Sequence, residues 1–335
     1  MSAILTIAVP TYNRPEQLKT LLASLMPQLT SRTVLQILDN ASDVPVENVL
    51  DNWESLSTPP RLEVIRHPVN IGGAANLLRC YEVCRTPWLW IIGDDDVVLE
   101  GAIDRVLTAI DSTPDAVLVN FTIDRFRRDR AWRSEGLSEF LQNIDFLDAV
   151  IFTPNNILNV FRLWPYLKYG YLYSYSFMPH LATLLKALEA GGGCHFETGS
   201  VVRNPEVRPV KDQYSCLAYC MGAGVILDLV TCDADRKRLA ALLLHGNIFF
   251  AKFLFHLALA RLHGTSSTSI AYLRDQTRGR WFAYAPTTYR MVFAVSAALA
   301  RACPRLFARL VIEGAKRWYS RALTYEDLPD ADARL

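Results

Sequence analysis

Over the first 125 positions, short runs of consecutive apolar residues alternate with stretches whose apolar residues recur at helical spacing. Ile4 to Val9 is apolar at nearly every position, reads as a strand buried on both faces, and stops at Pro10. From Pro15 to Leu29, a proline opens a helix that places Leu18, Leu21, Leu22 and Leu25 on one face. Val34 to Leu38 predicts a second strand ending at Asp39, and Leu62 to Arg66 a third. A helix over Ala74 to Cys84 then leads into a fourth strand, Trp88 to Ile92, which runs into Asp94. Gly101 to Ile110 reads as a helix, Ala116 to Phe121 as a strand, and Asp124 to Arg133 as a charged, exposed connection. This rhythm is that of βαβ units, so the fold class is α/β with a mainly parallel sheet flanked by helices.

Beyond position 150 the rhythm weakens. Aromatic clusters (Trp164, Tyr166, then Tyr169 to Phe177) precede a helix at Pro179 to Ala190, a triple-glycine turn and a strand at His195 to Val202. From about residue 217 the pattern is helical, with amphipathic stretches at Phe249 to Leu262 and at Tyr289 to Leu323, the latter broken at Pro304. The expected division is a catalytic domain over 1–215 and a basic helical region over 216–335.

Composition changes this picture in one respect. With 51% hydrophobic and 21% charged residues the chain is an ordinary globular sequence, which excludes long disordered regions. The net charge of +1 conceals an asymmetry, because residues 225–322 carry 15 Lys/Arg against 5 Asp/Glu while residues 1–224 are acidic. Arg301, Arg305 and Arg309 recur every four residues on the rear helix, a pattern suited to an anionic membrane interface or to a solvated helical face. Nucleic acid is not expected, since no recognition motif accompanies the charge. No apolar run of 18 residues is uncharged; the closest, Leu239 to Leu262, contains His245, Lys252, His256 and Arg261. The seven cysteines include no CxxC and read as reduced, mostly buried thiols, and the N-terminus as a strand rather than a signal peptide. A cytoplasmic location, with peripheral contact at the inner membrane, is the expectation.

Ligands of open α/β sheets bind beyond the carboxyl ends of the strands, and the chemistry-bearing residues cluster there. Gly93-Asp94-Asp95-Asp96 follows an apolar strand. Three adjacent carboxylates repel one another unless a cation neutralises them. Alternation along an extended segment would turn Asp94 and Asp96 to one side, where they could share a hard divalent ion, Mg²⁺ or Mn²⁺. A solvated acidic turn is the other reading of the same residues.

Four motifs occur in order: Pro10-Thr11-Tyr12-Asn13-Arg14, Asp39-Asn40-Ala41-Ser42, Asn70-Ile71-Gly72-Gly73-Ala74-Ala75-Asn76, and Gly93 to Asp96. Together, over residues 3 to 125, they resemble the family 2 glycosyltransferases of the GT-A fold. The Gly-Asp-Asp-Asp form is similar to that of bacterial members that build surface polysaccharides, the abequosyltransferase-like group and O-antigen enzymes of lipopolysaccharide among them. The resemblance implies a Rossmann-like nucleotide-sugar site: Pro10, Thr11, Tyr12, Asn13, Asp39 and Asn40 around the nucleoside, Gly72, Gly73 and Asn76 beside it, Asp94 and Asp95 at the donor, and Asp94 with Asp96 as DxD metal ligands. Asp39 would accept hydrogen bonds from base or ribose; Asx-turn chemistry is its other reading. Ala75 stands where the family often has Arg.

Inverting members carry an acidic pair at the start of a helix about eighty residues past the DxD motif, and here Met178-Pro179-His180 stands in its place. His180 is one candidate base and Asp212 the other; a packed histidine and a solvated loop acid are their alternatives. Trp164, Tyr166, Tyr169, Tyr171, Tyr173 and Tyr175 could stack on acceptor sugars or pack a seam, and Arg203 and Arg208 could balance diphosphate charge. The expected function is a hexosyl- or deoxyhexosyltransferase that moves sugar from a nucleoside-diphosphate donor to a hydroxyl of a lipid-linked bacterial glycan. The alternative is a non-catalytic, glycan-binding scaffold of the same fold in a polysaccharide assembly complex. A nucleotidyltransferase is disfavoured because Pro10 to Arg14 contains no glycine.

Overall fold

The structure, a computed structural model, describes residues 3–48, 50, 61–123, 127–203, 224–245, 280, 283–303, 305–307, 309, 310 and 313. The chain divides into two compact units, Met1–Glu206 and Val207–Leu335.

The first unit is built on an eight-stranded sheet. β1 (Leu5–Thr11), β2 (Thr33–Asp39), β3 (Arg61–Arg66) and β4 (Trp88–Ile91) pair in parallel in the order β3-β2-β1-β4. Every residue of β2 and β4 is buried, as expected of parallel strands covered on both faces. β5 (Val97–Val98) leaves the main sheet, and β6 (Ala116–Thr122) returns to it parallel to β9 (Gly193–Ser200). Two strands run against this direction: β8 (Asn156–Asn159), wedged between β4 and β6, and β7 (Trp132–Glu135), at the edge beside β9. β10 (Val202–Arg203) pairs with β5 as a separate two-stranded ladder.

α1 (Pro15–Leu25) buries Leu18, Leu21, Leu22 and Leu25 against the sheet, each worth roughly 1.5–3 kcal/mol of transfer free energy. α2 (Gly73–Val83) enters from the carboxyl end of β3 and leaves near the start of β4, and α3 (Ala102–Ser112) joins β5 to β6. α4 (Gly136–Asn143), α5 (Asp148–Ile151), α6 (Val160–Leu163), α7 (Leu167–Leu172) and α8 (Pro179–Glu189) follow, with α8 buried along nearly its whole length. α7 and α8 meet closely at Gly170, where a Cβ would stand 2.6 Å from Thr183 Oγ1 and 2.7 Å from Leu78 Cδ2.

The stretch expected to be an exposed connection is partly ordered into the sheet. Trp132 in β7 stacks on Phe196, with ring centroids 3.9 Å apart. Half-buried Arg128 donates to the carbonyls of Asn120 (3.0 Å) and Glu197 (2.6 Å) and lies over the Phe196 ring; burial lowers its pKa to about 10. An arginine that staples two strand ends looks, in sequence, like any charged loop residue.

In the second unit, Asp233–His245 and Thr287–Ala302 are helices, the latter ending two residues before Pro304 with Cys303 as its C-cap. Arg280 forms a two-pronged ion pair with Asp228, and Arg236 bonds the Val230 carbonyl and the Tyr284 hydroxyl. Among the described residues no helix is long and apolar enough to cross a membrane. Cys80, Cys84 and Cys194 are buried free thiols, whereas Cys232 and Cys303 are exposed. Cys216, Cys220 and the helix expected at 249–262 lie outside the described residues.

Candidate active site

Register brings the site together. β1 and β2 pair Thr11 with Asp39, and β2 and β3 pair Asp39 with Arg66, so these three polar side chains stand abreast at the carboxyl edge of the sheet. The next strand, β4, delivers Gly93 to Asp96 to the same edge. Thr11 Oγ1 donates to Asp94 Oδ2 at 2.8 Å, joining the β1 and β4 ends directly.

Asp39 is fully buried. Its Oδ1 accepts the Ser42 N–H at 2.9 Å and its Oδ2 pairs with the Arg66 guanidinium, which also donates to the Ser42 carbonyl at 2.7 Å. Both carboxylate oxygens are thus engaged within the protein, and the more exposed partner at this position is Arg66. No sequence motif marks Arg66; its place as the last residue of the third strand, in register with Asp39, is what brings it here.

The flanking turn is cross-braced. Asn13, with φ +55°, donates its N–H to the Ser42 hydroxyl oxygen at 2.9 Å, and its side chain donates to Asp43 Oδ2 at 3.1 Å and accepts from the Asp43 N–H at 2.7 Å. Tyr12 beside it is exposed. Asn40 binds Asn70 Oδ1 and accepts from the Ile71 N–H, each at 2.9 Å, which shapes the approach to Gly72. Gly72 has φ +84°, a conformation glycine adopts without strain, and it caps α2. Asn76 is buried and structural: it bonds His67 at 2.9 Å and the Leu38 carbonyl at 3.1 Å.

The acidic segment is a turn and not an extended strand: the Asp96 N–H closes on the Gly93 carbonyl at 3.1 Å. The alternation expected of Asp94 and Asp96 is therefore replaced by another pairing. Asp94, 5% exposed, accepts from Thr11 and from Arg14 Nη1 at 2.9 Å, and Arg14 also lies 3.4 Å from Asp95 Oδ2. Burial raises the Asp94 pKa, while Thr11 and Arg14 oppose the shift. Asp95 Oδ1 and Asp96 Oδ2 instead converge over Gly93, lying 3.0 and 2.8 Å from the place where a Cβ would sit. Asp96 Oδ2 also accepts the Gly93 N–H at 3.0 Å, and these carboxylate oxygens are hard donors of the kind Mg²⁺ and Mn²⁺ take. No group of three or more His, Cys, Asp or Glu capable of holding a metal forms among the described residues.

His180 is placed elsewhere. It is buried, its Nε2 donates to the Ile151 carbonyl at 2.9 Å, its Nδ1 has no partner, and burial pushes its pKa down to about 4. These are the contacts of a packed neutral histidine, which the structure does not gather with the acidic turn. Asp212 and Arg208 lie outside the described residues, and Arg203 is exposed at the end of β10. The aromatic belt is divided. Trp164 Nε1 donates to the Tyr81 carbonyl at 3.0 Å and the Tyr171 hydroxyl to Glu82 at 2.6 Å, tying both to the end of α2 away from the site. Tyr173 and Tyr175 stack, with centroids 6.1 Å apart, in the turn that precedes α8.

Residues 6–169 match the sequence model of the family described as Glycosyl transferase family 2. This segment is a family 2 glycosyltransferase domain. Its curated relatives include abequosyltransferase RfbV of Salmonella typhimurium, 31% identical over 117 residues, which are 34% of this chain and 35% of that protein. An uncharacterized glycosyltransferase of Haemophilus influenzae is 32% identical over 118 residues, 35% of this chain and 37% of that protein. The matched stretch thus spans about a third of each curated relative. Among solved structures, S. aureus TarS 1-349 in complex with UDP-GlcNAc superposes with a TM-score of 0.59 at 14% identity, over 94% of this chain and 92% of that one. The mannosyltransferase PcManGT from Pyrobaculum calidifontis, in complex with GDP-Man and Mn²⁺, gives 0.52 at 13% identity, over 96% and 88%. These likenesses establish the GT-A fold. The family 2 domain takes in β1 to β4, the acidic turn and both helices that open beside it.

Proposed function

We propose that the protein is a glycosyltransferase that moves a sugar from a nucleoside-diphosphate donor to a hydroxyl of a bacterial glycan. One observation carries this reading: Thr11, Arg14, Asp39, Arg66 and Asp94 to Asp96 converge at the carboxyl ends of adjacent parallel strands inside the family 2 domain. Ligands of such sheets bind there. Arg66 and the turn braced by Asn13 and Asn40 border the nucleoside, and Asp95 with Asp96 hold a divalent cation. A cation at that place supplies electrostatic stabilisation to a departing diphosphate. Two fold neighbours, S. aureus TarS in complex with UDP-GlcNAc and PcManGT in complex with GDP-Man and Mn²⁺, support both assignments.

The curated relative named abequosyltransferase supports a deoxyhexose or hexose donor and a surface-polysaccharide acceptor. A lipid-linked acceptor places the enzyme at a membrane surface, and the exposed apolar residues Met291, Val292, Val295 and Leu299 of the basic second unit suit peripheral contact there. A second reading, a donor-binding scaffold without transfer activity, draws on the sealed position of His180.

Thermal unfolding against UDP, GDP, CDP and dTDP, each with and without Mn²⁺, tests the donor site. A ligand at 100 times its dissociation constant stabilises by about 2.7 kcal/mol, roughly 2 °C or more for a chain of this size. A Mn²⁺-dependent shift with one nucleotide is expected; no shift with any of the four would overturn the donor site.

A further inference from the structure

The carboxylates of the acidic turn already have a cation. Arg14 Nη1 lies 2.9 Å from Asp94 Oδ1 and 3.4 Å from Asp95 Oδ2, and its side chain is 22% exposed. The remaining Asp94 oxygen is taken by Thr11. Arg14 is the residue preceding α1, where the helix dipole disfavours positive charge, and its side chain makes no cap bond to the helix. The braces on Asn13 hold the backbone that presents it to Asp94 and Asp95. Arg14 therefore joins the element carrying the nucleotide-facing turn to the element that would carry the metal.

We infer that Arg14 is the built-in counter-ion of the acidic turn, and that a divalent cation enters by competing with its guanidinium for the Asp95 carboxylate. The inference rests on the assignment of Asp95 and Asp96 as the metal-holding pair. Its consequence is an order of binding. In the nucleotide-free protein the guanidinium offsets part of the turn's negative charge and weakens the pull on a bare cation. A cation that arrives with a diphosphate brings two negative charges, which give the displaced guanidinium a new partner. The site thus discriminates against free metal and favours metal complexed with the donor, through a residue that need not touch the transferred sugar.

The test is Mn²⁺ binding followed by the electron paramagnetic resonance signal of free Mn²⁺, on the full chain, without and then with UDP, GDP, CDP or dTDP. Without nucleotide, Arg14→Gln should bind Mn²⁺ roughly tenfold more tightly than the natural protein, because a unit charge adjacent to the ligands is removed. Arg14→Lys, which keeps the charge but loses the fork, should fall between them. Thermal unfolding supplies the second readout: Arg14→Gln should melt lower than the natural protein without metal and gain more from saturating Mn²⁺. A purely architectural role for Arg14 would lower the melting temperature without tightening Mn²⁺ binding. If the natural protein binds Mn²⁺ and Arg14→Gln binds it equally or more weakly, the counter-ion inference is overturned while the metal assignment stands. If neither binds Mn²⁺ even with the four nucleotides, both are overturned.

Discussion

At the scale of single residues, the site is organised by charge pairs that bury their acidic members. Asp39 is held by Arg66 and Asp94 by Arg14, while Asp95 and Asp96 lean over Gly93. Gly93→Ala would push a methyl group into both of those carboxylates. It should weaken Mn²⁺ binding at least about tenfold while the β4 core, which the substitution does not touch, keeps the melting temperature within about 2 °C. Direct metal titration beside a melting curve checks this. His180 gives a pH prediction of definite sign. Its pKa is near 4 in the folded protein and near the ordinary 6.5 when unfolded. The unfolded chain therefore takes up the proton first, and stability should fall as pH drops from 6.5 to 4. The loss should be on the order of 3 kcal/mol and should shrink in His180→Gln, as read from denaturant midpoints at several pH values. The residues at strand ends were legible in the sequence because their motifs mark the carboxyl edge of the sheet. Their partners were not: Arg66 needed the strand register, and the roles of Asp94 to Asp96 depended on a turn where alternation assumed an extended segment.

At the scale of elements, the parallel half of the sheet was readable because buried strands are apolar at every position and the helices between them are strictly periodic. Four strands escaped that logic. β8 is only four residues long and is flanked by asparagines, which are satisfied in the core by Asn120, Ala149, Val150 and Pro114. β7 carries one buried serine between charged residues, and β5 with β10 is a two-residue ladder. The α7–α8 contact depends on Gly170, whose replacement by Val should cost roughly 1–3 kcal/mol or more through overpacking against Thr183, Leu78 and the Pro179 carbonyl. Chemical denaturation of Gly170→Val reads that loss directly. In the helix Thr287–Ala302 the exposed residues Met291, Val295 and Leu299 recur every four positions. If this face meets an anionic bilayer, Val295→Glu should reduce co-flotation with phosphatidylglycerol vesicles several-fold and leave nucleotide binding unchanged. Equal flotation of the two proteins would remove this helix from the membrane contact.

At the scale of the whole molecule, a mainly parallel sheet with an acidic turn at its carboxyl edge is joined in sequence to a basic unit whose described residues are mostly helical. The first carries the family 2 domain and the acidic turn; the second carries an excess of Lys and Arg over Asp and Glu. The central claim is that this architecture transfers sugar through a metal-dependent donor site. The most direct measurement is release of nucleoside diphosphate from a panel of UDP-, GDP-, CDP- and dTDP-sugars, with and without Mn²⁺, comparing the natural protein with Asp96→Asn. The expected result is metal-dependent release from one donor class by the natural protein, at least about a hundredfold slower in Asp96→Asn, whose removed charge serves the departing diphosphate. Full turnover by Asp96→Asn, or the same turnover after removal of divalent metal, would contradict it.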